Sequence, residues 1–99
     1  MSKKVGISDF LTVEEVVRAI KLYRDARAGT FAELCAEKII TPILPRINKK
    51  LGQENHPLYL AYMVEYVFIE TGVKEKIKDQ PEERIFINER NRTIINGLN

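Results

Sequence analysis

The chain has 99 residues, 44% hydrophobic and 30% charged, with a formal net charge of +2 from 16 basic and 14 acidic side chains. That length suits one helical domain with a thin core, because a chain of this size buries roughly 60–65% of its unfolded surface. The mixture excludes a disordered tail, and the near balance of charge argues against a protein whose main task is to hold polyanions.

Residues 1–10 read as a flexible N-terminal arm. Lys3 and Lys4 are followed by no apolar run, and Asp9, Glu14 and Glu15 arrive too early for a signal or transit segment. Thr12 and Glu15 have capping-box spacing, with Leu11 and Val16 at the two positions of a hydrophobic staple. Val13, Val16, Val17, Ile20 and Tyr23 then recur at helical spacing, which predicts a first helix over residues 13–28 closed by Gly29. On that helix, Glu14 is spaced to pair with Arg18, and Lys21 with Asp25.

Thr30 and Glu33 suggest a second capping box, opening a helix through Phe31, Leu34, Cys35 and Ile39 that Pro42 stops or kinks. Ile43 or Leu44, Ile47 and Leu51 give a short third helix ended by Gly52, with Pro45 in its first turn. A fourth opens at Asn55-His56-Pro57, with proline at the first helical position, and ends at Gly72. After the charged residues 74–79, Gln80-Pro81-Glu82-Glu83 reads as another helix start, running to about residue 96. The β-branched stretches 84–87 and 93–95 allow a hairpin there instead. The expected fold is all-α, a bundle of four to five short helices.

Residues 58–71 carry few strongly polar side chains, namely Glu65, Glu70 and Thr71. At 100° per residue, Leu60, Val64, Val67 and Phe68 make one apolar face. Tyr59, Tyr62 and Tyr66 form a separate stripe beside Glu70. Such a stripe is either covered by neighbouring helices or forms a protein interface, where tyrosine contributes large contact area with few rotatable bonds. A 99-residue chain has little material to cover two apolar faces, so a homodimer is expected through Tyr59, Tyr62, Tyr66 and Glu70. Glu65 becomes a candidate functional group only if it is fully buried.

The parts of common catalytic sites are missing. His56, the single histidine, sits where a helix N-cap is expected. Cys35, the single cysteine, lies on an apolar helix face, rules out an internal disulfide and suits a reducing cytoplasm. No phosphate-binding loop, dinucleotide fingerprint or metal motif is present in the sequence, and Glu33/Glu37 and Glu82/Glu83 stand near helix starts, where acids favour the dipole. Neither an enzyme nor a cofactor or metal site is therefore expected, and no stretch reaches the length of a bilayer span. Residues 30–51 resemble a degenerate helix-turn-helix, with Arg46, Lys49 and Lys50 as possible nucleic-acid contacts and Arg84, Arg90 and Arg92 beyond it. The preferred reading is a cytoplasmic, non-catalytic interaction module, adaptor or regulator; the rival is a small nucleic-acid-binding regulator.

Overall fold

In the computed structural model, which describes residues 6–79, the Thr12–Glu15 box forms in both directions. The Thr12 hydroxyl accepts from the Glu15 amide at 3.2 Å, and the Glu15 carboxylate accepts from the Thr12 amide at 2.9 Å. Together they satisfy two of the donors that a helix start leaves unpaired, and they open α1 (Val13–Asp25). Leu11 and Val16, the staple pair, are both buried.

Three expectations for this end need correction. Ile7, Phe10 and Leu11 are buried in the core, so residues 7–11 are no free arm. They are held by a short 3₁₀ turn (Ile7–Asp9), in which the Gly6 amide donates to the Asp9 carboxylate at 2.9 Å. The helix ends at Asp25 rather than 28, because residues 27–30 close a turn of their own. Both the Thr30 amide (3.0 Å) and its hydroxyl (2.7 Å) donate to the Arg27 carbonyl, and Gly29 takes the left-handed φ of +85° within that turn. The second capping box consequently does not form. Thr30 stands near the helical region rather than in the extended conformation of a good N-cap, and its side chain caps nothing.

From Phe31 to Leu51 the chain stays helical but changes its winding: α2 (Phe31–Cys35), a π-helical turn (Ala36–Ile40), a 3₁₀ turn (Thr41–Ile43) and α3 (Leu44–Leu51). Pro42 accounts for this. Its ring would collide with the carbonyl four residues earlier, and it has no amide to continue the ladder. A wider turn, in which the Thr41 amide reaches back five residues to the Ala36 carbonyl, relieves the clash without breaking the helix. Gly52 then closes α3 with a φ of +74°.

His56 caps α4 (Pro57–Glu70), its Nδ1 accepting from the Leu58 amide at 3.1 Å, and Pro57 occupies the first turn as expected. Gly72 turns the chain into a short α5 (Val73–Lys76), where only a charged segment was expected. Among the described residues there is no strand, and the fold is all-α. The helix-or-hairpin alternative at 84–96 lies outside the described residues. One core cluster joins every helical piece, with Phe10, Ile20, Ile40, Ile47, Leu60 and Val64 at its centre. Tyr23, Phe31 and Phe68 stack within it at centroid distances of 5.0, 5.3 and 5.7 Å, a spacing that adds to their burial energy.

Candidate functional site

The two faces of α4 are made from similar residues and meet opposite fates. Leu60, Ala61, Val64, Val67 and Phe68 are buried against the rest of the core. On the other side Tyr59, Tyr62 and Tyr66 are 59%, 52% and 63% exposed, and Ile69 beside them is 60% exposed. Among the described residues, no element lies over these rings. The patch, on the order of 400 Å² from the typical area of such side chains, falls within the range of about 300–600 Å² where a monomer's largest apolar patch is often functional. Glu70 is exposed at the C-terminal end of the same stripe.

Glu65 is half-buried, between the tyrosine stripe and the core. Its charge reaches two core groups. The buried Cys35 thiol is pushed up to about 12, first by loss of solvent and then by the Glu65 carboxylate. Tyr23 is raised by the same two causes in the same order. A thiol so shifted stays protonated at neutral pH and is a poor nucleophile. Among the described residues no group of three His, Cys, Asp or Glu side chains is placed to hold a metal ion.

The residues of the suspected helix-turn-helix are placed differently from expectation. No turn divides the segment, which remains helical throughout residues 31–51. Arg46 reaches across to α1, where it forks onto Glu15 with Nη1–Oε2 at 2.8 Å and Nη2–Oε1 at 2.6 Å, and Nη2 also donates to the Phe10 carbonyl at 3.1 Å. Glu15 is only 8% exposed. Its carboxyl is held below the usual carboxylate range, chiefly by the Arg46 hydrogen bonds and against the opposing effect of burial. Arg46 is therefore a tie between the start of α1 and α3. Lys49 and Lys50 are exposed on the last turn of α3, where cations suit the negative end of the helix dipole. The Arg46–Glu15 pair left no sequence signal: Glu15 already had a local role in its capping box, and the two residues lie 31 positions apart.

Neither local pair expected on α1 forms among the described residues. Asp25 pairs with its neighbour Arg24 at 3.0 Å rather than with Lys21, and Glu14 does not pair with Arg18. Side chains three and four apart on a helix are near enough to pair but do so only weakly, so an adjacent guanidinium fork displaces the lysine.

No known protein-family model matches the chain, and neither a curated protein nor a solved structure matches it.

Proposed function

We propose that this chain is a non-catalytic protein-interaction module that pairs with a second copy of itself through Tyr59, Tyr62, Tyr66 and Glu70 of α4. The observation that carries the reading is the exposure of all three rings on a helix that carries few polar side chains. A standard interface buries about 800 Å² on each partner. The stripe supplies roughly half of that as a central aromatic patch, which is the usual place of the residues that dominate binding.

A second copy fits the stripe because the stripe is nearly symmetric along α4. Tyr62 and Tyr66 flank the middle of the helix, and Tyr59 and Glu70 stand near its two ends. An antiparallel two-fold pairing sets ring against ring at the centre. It also brings each Glu70 carboxylate to the other copy's helix start, where the dipole and the Tyr59 hydroxyl favour a negative charge. Tyr62→Glu tests this: it should convert the dimer to monomer in light scattering while far-UV circular dichroism stays unchanged. Loss of helicity in that variant would assign Tyr62 to the fold instead.

The nucleic-acid reading is less well supported, because Arg46 already spends its donors on Glu15 and Phe10. It predicts binding that falls steeply with salt and depends on Lys49 and Lys50. Absence of any shift with duplex or single-stranded probes at low salt would remove it.

A further inference from the structure

The π-helical turn that Pro42 imposes sets Lys38 and Ile39 beside α1, where they line an open groove of about 280 Å³ with Arg18, Lys21, Leu22 and Asp25. Half-buried Leu22 and the edge of the nearly buried Ile39 supply the groove's apolar side chains, while the cations stand exposed around them. The single carboxylate is already engaged: both Asp25 oxygens face Arg24, whose guanidinium holds that carboxyl below its usual range. Arg18, Lys21 and Lys38 form no ion pair among the described residues. The groove is thus an apolar slot among three cations that pair with no carboxylate among the described residues.

We propose that this groove docks an acidic linear segment of another protein, seating one aliphatic or aromatic side chain against Leu22 and Ile39 while flanking carboxylates face Arg18, Lys21 and Lys38. Charge complementarity and the apolar lining both select this occupant. A single-stranded nucleic acid would be met by aromatic stacking platforms between the cations, and among the described residues that line the groove there is no aromatic ring. A membrane surface would need a free apolar face on α1, but Val16, Val17, Ala19 and Ile20 are all buried in the core. The site is separate from the tyrosine stripe, and it stands whether or not the chain dimerises.

The probe is a fluorescein-labelled peptide with one leucine flanked on both sides by glutamates, titrated into the full chain at low salt. The expected dissociation constant is on the order of 100 µM, given how little each exposed ion pair contributes. Amide shifts should concentrate at residues 18–25 and 36–40. Binding should weaken at least about tenfold in 0.5 M salt, roughly the level that screens exposed charges. The double variant Lys21→Glu, Lys38→Glu should weaken it as much; both lysines are exposed, so helicity is retained, and Lys→Gln at the same positions should give an intermediate loss. A glycine in place of the peptide leucine should weaken binding several-fold. No saturable shift up to millimolar peptide, or equal binding by the charge-reversed variant, overturns the proposal. Equal binding of the leucine-free peptide reduces the groove to a bare charge patch. Stronger shifts of the same amides with duplex DNA, or on concentrating the chain alone, replace the acidic segment by nucleic acid or a second copy.

Discussion

The two faces of α4 carry the same kinds of side chain and do different work. On one face Phe68 closes the stack with Tyr23 and Phe31, and burial there makes the helix part of the fold. On the other, Tyr59, Tyr62 and Tyr66 present comparable ring area to solvent. The difference shows that aromatic content does not locate a core. What decides is whether the chain has other elements left to pack against each face.

The comparison is broken most severely on the buried side. Phe68→Ala should cost about 3–5 kcal/mol, the usual price of deleting a core ring, as read from urea unfolding. The same core encloses Cys35 and keeps its thiol protonated, so thiol reagents at mild pH should label it only as fast as the domain opens. Rapid labelling of the folded protein would mean that the packing around α4 is looser than described.

Arg46→Ala comes next, because it leaves Glu15 nearly buried without its main partner. Arg46 is about half exposed, and solvent screening holds the expected loss to about 1–2 kcal/mol. Glu15 has a folded pKa below its ordinary value of 4.5. Its contribution is therefore complete above that value and is lost as pH falls through the lower, folded one. Wild-type stability should drop in that acid window, and Arg46→Ala should flatten the drop. An equal acid sensitivity in both would show that Glu15 does not carry it.

The smallest effect on folding belongs to the exposed face. Tyr66→Ala should change monomer stability by no more than about 0.5 kcal/mol, as surface substitutions do. Its effect should appear in self-association instead, weakened at least about tenfold if the ring is a central contact. A large loss of folding stability would erase the distinction between the two faces.

Much of this architecture was legible in local signals. The Thr12–Glu15 box, the Gly52 stop, the Pro57 start and the inward face of α4 all depend on residues within a turn or two of one another. Local signals mislead where several local options are open. Thr30 has the spacing of a capping box but serves the turn at Arg27, and Pro42 widens a helix rather than ending it. Ile7 and Phe10 stand ahead of the first periodic segment and have no period of their own, so no local pattern marks them as core. The Arg46 fork was invisible because it joins distant positions. The tyrosine stripe could be drawn on a helical wheel, but its exposure depends on what the remaining chain can cover.

The pairing of two chains through α4 is tested most directly by sedimentation equilibrium of the unaltered protein across a dilution series spanning, on the order of magnitude, 1–100 µM. A reversible monomer–dimer equilibrium with the dimer dominant at the upper end is the expected result. A single monomeric mass across the whole series would contradict the assignment of the tyrosine face to a second copy.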